Sequence, residues 1–140
     1  MKIKQLTLWE AEFIAHSTAS EMMQYDETMP PFSTRTPGRL ESCLATPFQT
    51  FAGRPLYRFF YQRLAILFYL VIKNHPFKNG NKRMAVMLSF VFLFDNGKWI
   101  DIDPDSLYKL ANGVAKSNPK DKEKVLNMLS KFFNENIVSV

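Results

Sequence analysis

The sequence holds a single cysteine, Cys43, in 140 residues. A lone thiol excludes an intramolecular disulfide framework and fits a reducing cytoplasm. With no CxxC pair and two histidines in all, the clustered ligands of a zinc site are missing as well. The N-terminal Met1-Lys2-Ile3-Lys4-Gln5 is not followed by an apolar run, so no signal peptide is expected. The longest apolar stretches, Leu64–Ile72 and Met84–Phe94, fall short of the ~20 residues a membrane span needs. They are expected to be buried core helices, and no membrane partner is expected. The pattern GxxxxGK[ST] is absent, which excludes an ordinary P-loop. There is no internal repeat and no low-complexity tract.

What is present is ample apolar material, 46% hydrophobic with 14% aromatic residues, enough for one domain built on one core. Eighteen Lys and Arg against thirteen Asp and Glu leave a net charge of +5. That excess favours an anionic ligand or partner but does not by itself separate nucleotide, nucleic acid and acidic protein.

Thr7-Leu8-Trp9-Glu10 has the form of a capping box and predicts a helix from about Leu8 to Gln24. Residues 26–37, with Pro30, Pro31 and Pro37, predict a loop or lid. Gly38 to Ala45 is expected to be a short helix. Thr46–Pro55, with Pro47, Gly53 and Pro55, is expected to be irregular or a small β-flap. A helix from about Leu56 to Asn74 stops before Pro76. The next opens near Asn81 and closes at Asn96-Gly97. Its segment Met84–Phe94 is apolar on nearly every face apart from Ser89, which predicts a central position surrounded by other helices. Trp99–Ile102 is expected to be an extended link. Asp103-Pro104 and Ser117-Asn118-Pro119 have the form of helix starts. The last helix is expected to reach about Phe133, with a loose tail at 136–140. The sum is an all-α domain of about six helices with a short flap.

The most specific stretch is His75-Pro76-Phe77-Lys78-Asn79-Gly80-Asn81-Lys82-Arg83, between the two apolar helices. Gly80 permits a left-handed turn, and a helix opening at Asn81 would aim the free N–H groups of Gly80 to Lys82 into it. Lys82 and Arg83 add full charges, and an arginine suits bidentate phosphate contacts. His75, at the opposite lip, has the chemistry to take a proton from a hydroxyl. Phe77 is expected to point inward and anchor the loop. Taken one at a time these residues have plainer readings. A histidine at a helix C-terminus is ordinarily a dipole partner, Asn-Gly an ordinary turn, and Lys-Arg a solvated pair.

In order, however, they resemble the Fic/Doc signature HxFx[D/E][G/A]N[G/K]R, and Asn81-Lys82-Arg83 resembles its Doc branch. Pro37-Gly38-Arg39-Leu40-Glu41-Ser42 and Phe92-Leu93-Phe94-Asp95-Asn96-Gly97 are similar to family segments before the flap and at the end of the central helix. The resemblance covers about Pro37 to Phe133. It implies a compact, mainly helical Fic/Doc core. It also implies transfer from ATP to a target hydroxyl: AMP in Fic relatives, the terminal phosphate onto elongation factor Tu in Doc relatives. Doc proteins are toxins paired with a Phd-type antitoxin. Carried over by position, His75 is the general base and Phe77 the loop anchor. Gly80, Asn81, Lys82 and Arg83 hold ATP phosphates. Thr50, Phe51, Ala52 and Gly53 lie in the flap that aligns the target as an added strand.

The family's acidic Mg²⁺ ligand is Asn79 here. An amide oxygen can ligate Mg²⁺ but brings no charge, so weaker metal binding is expected. A natural variant, an engineered inactive form and a degenerate protein kept for binding all remain open. Many Fic relatives carry an inhibitory [S/T]xxxE[G/N] helix that grips a second motif arginine. That arginine position is Val86 here, and Met22 follows the Ser17–Glu21 spacing, so control by a separate antitoxin is expected. His16 is expected on a helix surface. Arg35, Arg39, Arg54 and Arg58 are expected to flank the flap. Lys116, Lys120, Lys122 and Lys124 are expected to be solvated, and Cys43 to be a small buried apolar residue. The expectation is a cytoplasmic phosphate-transferring toxin acting on a translation factor. The alternatives are an AMP transferase or a weakened binding protein. Direct nucleic-acid binding is not expected, since a ribonuclease-like site lacks a second acid/base group.

Overall fold

A computed structural model describes residues 2–22 and 28–140. Its first helical run, α1, is α-helical over Leu8–Glu10, π-helical over Ala11–His16 and α-helical again over Ser17–Met22. The capping box forms: Thr7 Oγ1 accepts from Glu10 N–H at 3.1 Å, and Glu10 Oε1 accepts from Thr7 N–H at 3.0 Å. Ala11, Ala15 and Ala19 recur every four residues and are fully buried. Three small side chains on one stripe let this run lie close against the later central helix. Met23 and Gln24, the expected end of this helix, and residues 26–27 of the expected lid lie outside the described residues.

Among the described residues five further α-helices follow: α2 Arg39–Ala45, α3 Phe60–Lys73, α4 Asn81–Asp95, α5 Pro104–Lys116 and α6 Lys122–Asn136. The fold is all-α. Helix α3 packs on α4, α5 and α6, and every residue from Leu64 to Ile72 is buried. Phe68 meets Phe133 of α6 edge to face at 5.6 Å, with both rings fully buried. Cys43 lies in the same core, where burial pushes its thiol up to about 11.

Helix α3 starts four residues later than expected because Leu56 to Phe59 are held elsewhere. Leu56 N–H donates to Gln49 O at 3.0 Å, and Arg63 Nε donates to Tyr57 O at 2.8 Å. Gln62 Oε1 then accepts from Phe59 N–H at 3.0 Å and caps the helix. Before it, a 3₁₀ turn at Thr46–Phe48 leads into an antiparallel hairpin, β1 Thr50–Phe51 with β2 Arg54–Pro55. Ala52 (φ 52°) and Gly53 (φ 78°) make its turn, both left-handed as a two-residue hairpin requires. The expected flap is this hairpin.

Two expectations change at the C-terminal end. The tail is paired rather than loose: β4, Ile137–Ser139, runs antiparallel to β3, Lys98–Ile100, with Trp99 opposite Val138. The link expected at 99–102 therefore begins as a strand. Nor is α4 covered on all sides. Its first two turns are buried apart from half-buried Lys82, but Phe94 is 72% exposed and Phe90 and Val91 are half-buried, and among the described residues no helix covers Phe94. Asp103 caps α5 by accepting from Ser106 N–H at 2.8 Å. Among the described residues no helix is long and apolar enough to cross a membrane.

At the start of α1 and the end of α4, Glu10 and Asp95 share a hydrogen bond. Partial burial, then that bond and the neighbouring charge, push the Asp95 carboxyl up to about 6. A raised carboxyl favours the folded state at low pH, and the benefit is lost as pH rises through about 6. Asp95→Asn should remove this fall in stability between pH 4 and 7, measured by urea denaturation. An unchanged pH profile in the variant contradicts the assignment.

Candidate functional site

Helix α3 ends at Lys73, and Asn74 N–H still donates to Leu70 O at 2.8 Å. His75 then turns the chain with a left-handed φ of 49°, unusual for a residue with a Cβ. Five residues on, Gly80 takes φ 83° and serves as the N-cap of α4. The loop between them is held from inside by Asn81. Its Oδ1 accepts from Phe77 N–H and its Nδ2 donates to Phe77 O, each at 2.9 Å. One carboxamide thus satisfies both buried backbone groups of Phe77. These bonds also fix which end of the amide is nitrogen. Nδ2 faces His75 Nδ1 at 3.4 Å, a long contact that orients the ring on the open side of the loop.

Phe77 points inward as expected, 1% exposed. It packs against Phe32 at 5.7 Å and, unexpectedly, against His16 at 5.6 Å. His16 does not lie on an open helix surface. Residues 28–37 cross over the loop, with Thr36 N–H donating to Pro76 O at 2.9 Å, and this strap encloses the imidazole. His16 Nε2 lies 2.8 Å from Pro30 O, and a carbonyl only accepts, so this nitrogen carries the proton. Two of the arginines expected at the flap belong here instead. Arg39 Nη1 donates to the carbonyls of Asn74 and His75, both at 3.4 Å. Arg35 pairs with Glu41 at 3.6 Å and lies over the Phe32 ring. Short helix α2 starts directly after the strap, and that puts both within reach of it.

Arg83, expected in a solvated pair if not functional, is 4% exposed, and its Nη2 donates to Asn79 Oδ1 at 3.2 Å. Lys82 is half-buried and reaches across to α5, where its Nζ donates to Asn112 Oδ1 at 2.7 Å. Tyr108 presents its ring to the same ammonium at 5.4 Å. Neither α5 residue was singled out by sequence reasoning. Their four-residue spacing puts them on one helix face, but nothing local says which helix that face meets. Val86, at the position of a second motif arginine, is fully buried.

A cavity of ≈ 680 Å³ opens on this loop, lined by His75, Lys78 to Arg83, Tyr108, Ala115 and Ile72. Among the described residues no carboxylate lines it. A larger hollow of ≈ 870 Å³ lies further along α4, walled by Phe90, Phe94 and Trp99 with Asp95, Asp101 and Asp103. Its carboxylates would repel a phosphate, so the smaller cationic cavity is the candidate site. There, a helix N-terminus, a lysine and a buried arginine converge on one side and an exposed imidazole stands on the other. That arrangement can take an anion and hold a base beside it. Thr50, Phe51, Ala52 and Gly53 do not line the cavity; they form the exposed hairpin.

The described residues at the loop do not make a charged set of ligands for Mg²⁺. Asn79 supplies a neutral amide whose oxygen accepts from a guanidinium, and a metal would compete with that charge. Among the described residues no group of His, Cys, Asp or Glu is placed to hold a metal ion.

Sequence comparison agrees with this architecture. The Fic/DOC family model matches residues 6–93, more than half of the chain, and the chain belongs to the Fic/DOC family. It is similar to a protein named Toxin Doc from Mycolicibacterium smegmatis, 34% identical over 80 residues. That alignment covers 56% of this chain and 62% of the relative, so the chain spans less than two thirds of its relative's length. No solved structure matches the chain.

Gly80 is the most constrained backbone position of the loop. A Cβ there would be strained at φ 83° and would run into Met29 Sδ. Gly80→Ala should cost ~1–2 kcal/mol in urea denaturation. Because Met29 is a flexible side chain, adding Met29→Ala should recover only a part of that loss. Full recovery would show that the backbone conformation imposes no strain.

Proposed function

We propose that this chain is a Doc-like toxin that transfers phosphate from ATP to a hydroxyl of a translation factor, elongation factor Tu being the first candidate, and so blocks translation. A Phd-like antitoxin in the same cytoplasm would restrain it. The observation that carries this reading is the cavity at the start of α4, lined by Lys78, Lys82 and Arg83 with His75 at its lip. The Toxin Doc relative supports it.

In this mechanism the ATP phosphates lie against the free N–H groups at the start of α4, with Arg83 and Lys82 as counter-charges. His75 takes the proton of the target hydroxyl while its oxygen attacks the γ-phosphorus. The bond from that phosphorus to the β-bridging oxygen breaks, and ADP leaves with the electron pair. Asn81 fixes the loop that carries the base. Gly80 keeps the backbone free of a Cβ at the turn, and Phe77 anchors it. The hairpin of Thr50, Phe51, Ala52 and Gly53 offers an exposed strand edge for the target chain.

AMP transfer is the second reading. It would need attack at the α-phosphorus with pyrophosphate leaving. Lys82, which extends across the cavity wall to α5, favours the phosphate reading by placing a cation where the phosphate chain would otherwise be free to shift.

Intact-mass spectrometry of elongation factor Tu, incubated with this protein, ATP and Mg²⁺, tests the proposal. The expected result is a phosphate-sized gain whose rate falls about 100-fold or more in His75→Ala. An AMP-sized gain would replace phosphate by AMP transfer. No gain, with Asn79→Asp also inert, contradicts the proposal for this target. Asn79→Asp should restore a charged metal ligand and raise Mg²⁺-dependent ATP affinity several-fold in calorimetry; an unchanged affinity would mean that the amide is not the weak point.

A further inference from the structure

We infer that Asn112, on α5, is a positioning residue for the phosphate-binding lysine: it holds the Lys82 ammonium at the cavity wall while leaving its charge uncancelled. The inference rests on the phosphate reading above and names a residue outside the motif that the reading depends on.

The argument begins with where Lys82 stands. It is the second residue of α4, where the helix dipole is positive, beside Arg83 and near Lys78. A cation in a helix's first turn is held against the local field. Left alone, a lysine with four rotatable bonds would swing outward to solvent. Here it does not: Nζ donates to Asn112 Oδ1 at 2.7 Å and lies 5.4 Å from the centre of the Tyr108 ring. A lysine only donates, so the acceptor end of the Asn112 amide is the one that faces it.

The identity of that acceptor is the informative point. A carboxylate at 112 would hold Lys82 more firmly but would neutralise it and put a negative charge beside the cavity. An amide oxygen and an aromatic face are both neutral. They fix direction and reduce the conformational freedom of the side chain without lowering the positive potential that draws an anion. The platform is itself braced: Lys73 at the end of α3 donates to the carbonyls of Ala115 and Ser117, which ties the C-terminal turn of α5 to the helix that leads into the loop. Tyr108 and Ala115 line the cavity, and Asn112 lies between them on the same face of α5. The two walls that meet at Lys82 are thereby held at a set spacing.

The test is calorimetric titration with ATP and, separately, with pyrophosphate, on the wild type, Asn112→Asp, Asn112→Ala, Lys82→Ala and the double variants. Asn112→Asp should weaken ATP binding at least about tenfold, and Asn112→Ala about threefold; the conservative Asn112→Gln should stay closer to wild type than either. In the Lys82→Ala background the Asn112→Ala effect should vanish, because Asn112 acts through the lysine. If Asn112→Asp does not fold, judged by its thermal melt, the Asn112→Ala and Lys82→Ala cycle carries the same decision. Asn112→Asp binding as tightly as wild type overturns the inference, and so does an Asn112→Ala loss that persists without Lys82. If the wild type binds pyrophosphate but not ATP, the nucleotide reading fails, and the same cycle on pyrophosphate decides the role of Asn112. Binding of neither anion overturns both.

Discussion

The candidate site depends on one side chain meeting one backbone unit: the Asn81 carboxamide closed on the N–H and C=O of Phe77. Both groups of Phe77 are buried where water cannot reach them, and each would cost ~1–3 kcal/mol if left unpaired. The amide removes that cost. In doing so it fixes the first residue of α4 against the middle of the loop. His75 can then sit at φ 49° and Gly80 at φ 83°, conformations that a loop without this clamp would have no reason to keep. Phe77 locks the same loop from below, against Phe32 and His16. The strap at residues 28–37 and the guanidinium of Arg39 close it from the side.

Charge separates the two hollows on α4. The first turn of the helix carries Lys82 and Arg83 against its own dipole, an arrangement that an anion would relieve. Among the described residues Lys82 donates to the amide oxygen of Asn112, and Arg83 donates to that of Asn79. Further along α4, carboxylates replace cations among exposed aromatic rings. Asn79, at the position of the motif acid, is a neutral amide that brings no negative charge of its own to this turn.

Much of the frame could be read from the chain because its signals are local. Thr7 with Glu10, Asp103 with Pro104 and Asn96-Gly97 each mark a helix end by chemistry within one turn, and each end stands within a residue or two of its expected place. The inward Phe77 was legible for the same reason, as was the flap from Pro47, Gly53 and Pro55. What the sequence did not reveal are relations between distant segments. His16 looked like a surface residue because nothing near it announces the strap that covers it. Arg39 looked like a flap residue because its partners, the carbonyls of Asn74 and His75, lie 35 and 36 positions away. Asn112 and Tyr108 could be placed on one face of α5, but that face meets Lys82 only through the packing of α5 on α4. The C-terminal tail looked loose because a three-residue strand has no signature until its partner at Lys98–Ile100 is known.

The most direct test of the account is an amide and side-chain NMR titration of the protein with ATP. The account predicts that the largest shifts fall on Gly80, Asn81, Lys82 and Arg83, extend to His75 and to Tyr108 and Asn112 across the cavity, and leave Phe94 and Trp99 unmoved. Shifts centred on the apolar hollow at Phe90, Phe94 and Trp99, or no shifts at all, would contradict it.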